Sequence, residues 1–203
     1  MSSRTGFAVA RFVVALGILV ALVFQFQHSV DGAFEAVNFF SFFTVLSNIA
    51  AAAFLLWEVA RPRETQTPKV AAFRGAVTLY MAITALVYAV LLAPASADVG
   101  LTLPWVDVVL HEVAPIALVR DWFVDKSRQL QGRRVILAWL VFPSLYLVYS
   151  LVRGNATDWY PYPFLDPDES GGYAGVAGYS AGVVATFVVV ALLLHWWAVR
   201  SRS

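Results

Sequence analysis

Six long apolar runs alternate with short polar connectors along the chain. A spanning helix needs about 20 mostly apolar residues. Runs of that length cover roughly Phe7–Gln27, Phe39–Ala60, Val70–Ala93, Pro104–Val124, Val135–Val152 and Tyr173–Val199. Clusters of Pro, Gly and charge separate them, as in RPRETQTPK at 61–69 and DPDESGG at 166–172, where such residues end helices. The pattern predicts an all-α fold. The expected architecture is a polytopic membrane protein, a six-transmembrane-helix bundle forming one domain over 1–203.

Composition changes the picture in one respect, the solvent. Hydrophobic residues make up 60% of the chain and charged residues 13%, with a mean hydropathy of +0.72. Soluble domains carry about 25% charge, so this surface is expected to face lipid. Seven Trp and fifteen Phe suit the aromatic belts at a bilayer's edges. With no cysteine, neither a disulfide framework nor a thiolate site is possible. The formal net charge of +1 identifies no partner; membrane lipids are expected, and no nucleic acid.

Charge placement orients the bundle. Arg4 and Arg11 flank the first run; Arg61, Arg63, Lys69 and Arg74 lie between the second and third. Arg120, Lys126, Arg128, Arg133 and Arg134 lie between the fourth and fifth, and Arg200 and Arg202 follow the sixth. Arg153 alone falls in the other set, beside Asp31, Glu35, Asp98, Asp158, Asp166, Asp168 and Glu169. Positive charge stays on the cytoplasmic side during insertion, so both termini are expected to be cytoplasmic. The early arginines and first run also resemble a signal peptide, but the run reaches Gln27 without a clear small-x-small cleavage site. Gly171, Gly172, Gly175, Gly178 and Gly182 near the sixth run are expected to mark close helix contact.

Some polar residues interrupt the runs at one depth. The second run opens with NFFSFFTVLSN at 38–48. Ser41, Thr44 and Asn48 are three and four apart, which places them on one helix face with Ser47 beside it. Thr44 falls roughly 8 Å below the outer boundary, at about 1.5 Å per residue. The fourth run reads PWVDVVLHEVAPIALVRDW, and His111 is roughly 10 Å deep on the same scale. Asp107 is one turn above His111, and Pro115 one turn below. Membrane Ser and Thr hydroxyls commonly bond the carbonyl one turn back, and a buried histidine can serve only to fix helix register. An ionisable group within a span is nonetheless a functional hypothesis by default.

A threonine hydroxyl becomes a nucleophile when a neutral histidine takes its proton. A carboxylate on the far ring nitrogen would fix the tautomer and steady the imidazolium. Asp107 is placed for that, with Glu112 as the second choice. Amides within a helix are already bonded, so an oxyanion requires side-chain donors. Asn48 is the first candidate, ahead of Tyr80, Thr84 and Tyr88. A metal fits less well: His111-Glu112 begins like HExxH, but the fifth position is Pro115. No cofactor or metal is expected.

FFTVLSN in the second run, HEVAP and RDW in the fourth, and YPYPFLDP before the sixth resemble the androgen-induced-gene (FAR-17a-like) family of six-span membrane proteins, in particular its bacterial branch. The resemblance implies a membrane threonine hydrolase acting on fatty acid esters of hydroxy fatty acids, with Thr44 as nucleophile and His111 as its histidine. A fatty-acyl ester substrate and a bacterial inner-membrane location follow from it. The alternative is a non-enzymatic binder or transporter whose polar cluster holds a small molecule or lipid; a scaffold is a third reading. The aromatic connector at 153–172, with Trp159, Tyr160, Tyr162 and Phe164, is an interfacial anchor or a lid above Thr44 and His111. Asn155-Ala156-Thr157 matches a glycosylation acceptor by chance.

Overall fold

The computed structural model describes residues 3–61, 67–93, 102–125 and 132–200. Arg63, Asp98, Lys126, Arg128 and Arg202 lie outside the described residues, as does the side chain of Arg4. Among the described residues the fold is all-helical and contains no strand. Its helices are α1 (Ser3–Asp31), α2 (Ala36–Phe39), α3 (Phe43–Ala60), α4 (Pro68–Val87), α5 (Pro104–Val108), α6 (Ala114–Val124), α7 (Arg134–Thr157) and α8 (Tyr173–Arg200). A π turn, Tyr88–Leu92, extends α4, and a second, Val109–Val113, joins α5 to α6.

Among the described residues, five helical stretches are long and apolar enough to cross a membrane: Thr5–Asp31, Phe43–Ala60, Pro68–Leu92, Arg134–Thr157 and Tyr173–Arg200. They fit a multi-pass membrane protein. The remaining long helix, running through α5 and α6, matches the expected Pro104–Val124 in extent. It carries Asp107, His111, Glu112, Arg120 and Asp121, which sets it apart from the apolar five.

The bundle is apolar outside, and its largely apolar interior also buries polar side chains. Val13, Leu137, Leu145 and Val152 lie at least 60% exposed, whereas Ser47, Asn48, Arg74 and Thr78 are at most 2% exposed. Helix α4 is central and packs against α3, α6, α7 and α8. Gly75 permits one of these approaches, because a Cβ there would stand 2.1 Å from the Trp139 ring of α7. Trp139 Nε1 then donates to Ala72 O at 2.7 Å. Pro143 has no N–H for the carbonyl of Trp139, four residues back; the Tyr80 hydroxyl of α4 donates to that carbonyl at 3.0 Å.

One end of the bundle is tied by buried ions. Arg11 of α1 bonds Asp121 at 3.0 Å, Asp125 at 2.6 Å and Glu58 of α3 at 3.2 Å. Arg74 of α4 reaches Asp125 at 3.2 Å and also pairs with Asp121. The positive-charge pattern treats Arg11 and Arg74 as flanking charges. The structure buries both against carboxylates from neighbouring helices, because the cost of a buried charge falls when it is paired and hydrogen-bonded.

Two expectations require correction. The second run is not one helix from Phe39: the chain breaks at 40–42, Phe42 is extended (φ −78°, ψ 133°), and α3 begins at Phe43. The glycines do not all mark helix contact. A Cβ at Gly178 or Gly182 would meet nothing within 4 Å. Gly171 and Gly172 instead supply positive φ angles of 81° and 86° before α8, which residues with side chains rarely adopt. Only Gly175 of this group is crowded, 1.8 Å from Ser170 O.

Candidate active site

The break before α3 places Thr44 in the first turn of a helix, where amides have no intrahelical acceptor. Two tyrosine hydroxyls occupy those amides. Phe43 N–H donates to the Tyr146 hydroxyl at 3.1 Å, and Thr44 N–H donates to the Tyr162 hydroxyl at 3.3 Å. Tyr146 of α7 passes its own proton to Ser41 O at 2.8 Å. Ser41 Oγ donates to Val37 O at 2.7 Å and meets the Tyr149 hydroxyl at 2.8 Å. Ser41 therefore belongs to the break and does not share a helix face with Thr44.

Thr44 Oγ1 lies 3.2 Å from His111 Nε2. His111 Nδ1 lies 2.8 Å from Asp107 Oδ1, and the Tyr88 hydroxyl donates to the other carboxylate oxygen. A carboxylate accepts but cannot donate, so Nδ1 carries hydrogen in the neutral ring and Nε2 offers its lone pair to Thr44. Tyr88 also stacks on His111, with ring centroids 4.1 Å apart and planes within 10°. Both rings lie in π turns. The π turn containing His111 accommodates Pro115, whose ring would otherwise press on the carbonyl four residues back, that of His111. Ala114 N–H reaches back to Val109 O instead. Glu112 is exposed, and Asp107 is the carboxylate that meets His111.

Asn48 is not a free oxyanion donor. Its Nδ2 donates to Thr44 O at 2.9 Å and Leu110 O at 3.3 Å. It ties the Thr44 backbone to the turn that bears His111. Thr84 is engaged with Ser47 at 3.0 Å and Tyr80 with Trp139. The Tyr162 hydroxyl, in contrast, is within hydrogen-bond reach of the Thr44 and Tyr146 side chains. Tyr162 accepts from Thr44 N–H, and its own single proton has two side-chain oxygens in reach, those of Thr44 and Tyr146. Burial, partly offset by these hydrogen bonds, raises the Tyr162 pKa and keeps its phenol protonated.

The sequence reading included Tyr162 only as a connector aromatic and missed Tyr146. Their roles depend on a helix start that an unbroken apolar run conceals. The connector does pack over this region: Tyr162 and Leu165 are buried, and Gly154 makes room for Tyr160, whose ring would lie 2.0 Å from a Cβ. Beneath Tyr162, and reaching Thr44, is a cavity of about 300 Å³ lined mainly by apolar side chains of α4, α7 and α8. Among the described residues no three His, Asp or Glu groups gather as metal ligands do. No family model, curated protein or solved structure matches the chain.

Proposed function

We propose that this protein is an integral-membrane hydrolase of lipid esters, such as fatty acid esters of hydroxy fatty acids, with Thr44 as its nucleophile. In this reading the bundle has six spans, with α5 and α6 forming the fourth. Both termini are cytoplasmic, and the setting is a bacterial inner membrane. The carrying observation is the continuous relay of Thr44 Oγ1, His111, Asp107 and the Tyr88 hydroxyl. The resemblance of FFTVLSN and HEVAP to the androgen-induced-gene family points to the same two residues, and the apolar cavity beside Thr44 suits an acyl chain.

Thr44 Oγ1 attacks the ester carbonyl as His111 Nε2 takes its proton. Asp107 steadies the resulting imidazolium, and Tyr88 holds the carboxylate. The negative charge on the carbonyl oxygen is met by the Tyr162 hydroxyl, supported by the positive end of α3. His111 returns the proton to the departing alcohol oxygen, leaving an acyl group on Thr44. Water attacks that acyl-enzyme with His111 again as base. The fatty acid leaves and Thr44 regains its proton.

A fluorophosphonate probe provides the test, read as a covalent mass increment on the peptide containing Thr44. Wild type should be labelled, and Thr44→Ala should not. Thr44→Ala labelled as strongly as wild type overturns the nucleophile assignment. His111→Ala should remain folded and lose turnover of model esters. Retention of the wild-type rate in that variant removes His111 from the mechanism.

A further inference from the structure

The cavity beside Thr44 has a side that faces lipid. On its connector side Tyr162 and Phe164 stack with centroids 5.2 Å apart and planes at 5°, and Leu165 is 2% exposed. The exposed members of its lining, Ser144, Val148 and Val184, belong to α7 and α8. The surface around them is apolar, with Leu145 64% and Val189 55% exposed. The opening therefore lies between α7 and α8, sideways to the bundle.

Both helices are weakened there. Pro143 interrupts the hydrogen-bond ladder of α7 beside Ser144. Gly178 and Gly182 flank Ser180 on α8, with open space where their side chains would be. Each glycine lowers helix stability relative to alanine, and no close helix contact offsets that loss. Ser180 Oγ also lines the cavity and is buried with no hydrogen-bond partner among the described residues. Such a hydroxyl is suited to an oxygen on a ligand.

We propose that a single hydrocarbon chain of a bilayer lipid enters this cavity sideways, between α7 and α8, and brings its carbonyl to Thr44. This deepens the hydrolase reading by naming the acyl site and its route; the chemistry at the carbonyl rests on that reading, and the binding does not. Lipid tails are as apolar as the cavity wall, so transfer from the bilayer brings little hydrophobic gain. Selection comes from packing and from polar contacts at the carbonyl end, as it does for helix association in membranes. A route from the aqueous side would have to part the Tyr162–Phe164 stack and lift Tyr160 from Gly154.

The test uses the full chain with Thr44→Ala, in phosphatidylcholine vesicles containing a fatty acid with a terminal diazirine. Photolysis should place adducts on Ile83, Leu140 and Val183, inside the cavity. Ser144→Trp with Val184→Trp should lower those adducts by at least about tenfold. The absence of cysteine allows a second block in an already folded protein: Val148→Cys labelled with a bulky maleimide should do the same. Adducts confined to outward-facing Leu145 and Val189, equal in open and blocked proteins, overturn the proposal. Cavity adducts in a chain whose wild type hydrolyses nothing would end the hydrolase reading alone. Turnover by the wild type without cavity adducts would end this proposal alone.

Discussion

Tyr88 lies face to face with His111, at 4.1 Å and 10° from parallel, and its hydroxyl reaches the carboxylate that holds the same histidine. One residue thus fixes the imidazole plane from above and Asp107 from the side. The pairing depends on two π turns, since each widens its helix by one residue where the ring projects. It also separates two contributions that substitution can read individually.

Tyr88→Phe keeps the stack and removes the bond to Asp107. The bond steadies the carboxylate as the imidazolium forms, so kcat should fall by about tenfold with little change in KM. Melting temperature should fall too, since a hydrogen bond to a charged group contributes about 1.5–3 kcal/mol to stability. Asp107→Asn should cost more, about 10²–10⁴ in kcat, because the ring loses its tautomer partner. Steady-state ester hydrolysis in detergent or vesicles measures both. An Asp107→Asn variant at wild-type rate removes the carboxylate from the relay.

Tyr162→Phe removes the hydroxyl proposed to meet the oxyanion beside Thr44. Loss of one oxyanion donor typically costs about 10²–10³ in kcat, and KM should hardly move. A purely structural Tyr162 would instead lower thermal stability and leave kcat per folded molecule intact, which combined melting and active-site titration would reveal.

The same residue sets a pH dependence of stability. Its folded pKa lies above its ordinary value because burial disfavours the phenolate. An unfolded tyrosine ionises near about 10, so the unfolded state sheds a proton first. The contribution of Tyr162 is thus complete below about pH 10 and declines as pH rises toward the folded value. Melting temperature in detergent should fall above about pH 10, and less steeply in Tyr162→Phe. Identical slopes would exclude this contribution.

Gly154→Ala should loosen the connector. The new methyl would lie 2.0 Å from Tyr160, so the ring must move, and the connector carrying Tyr162 with it. Overpacking of this kind costs about 1–3 kcal/mol. Faster proteolysis within 158–172 and lower kcat should appear together; unchanged protection would show that the connector absorbs the methyl without shifting.

Arg74→Ala tests the ionic tie at the other end of the bundle. It would leave Asp121 and Asp125 short of a cation in a buried setting. Removal of one partner from a buried pair costs about 3–5 kcal/mol, a drop that thermal unfolding in detergent can measure. A change within about 1 kcal/mol would mean that water reaches the network.

Five of the expected apolar runs appear as long apolar helices, and the fourth run appears as a helix of the expected extent. Helix length and burial follow from local residue order, because bilayer thickness and the 1.5 Å rise per residue constrain the pattern directly. The proximity of Thr44 and His111 was also legible from depth counted along two helices. What stayed hidden depended on the backbone departing from a regular period. The break at 40–42 converted Thr44 from a mid-helix residue into a first-turn residue, exposing its amide to Tyr162 and moving Ser41 away. An apolar run reads the same with or without that break, since its cause is distant: the Tyr146 hydroxyl bridges Ser41 O and Phe43 N–H across 105 and 103 positions of sequence. Asn48 likewise had the right residue type for a donor, but packing against Leu110 committed its protons elsewhere. Periodicity thus determined which segments form helices, while contacts between distant segments decided which polar atoms remain available for chemistry.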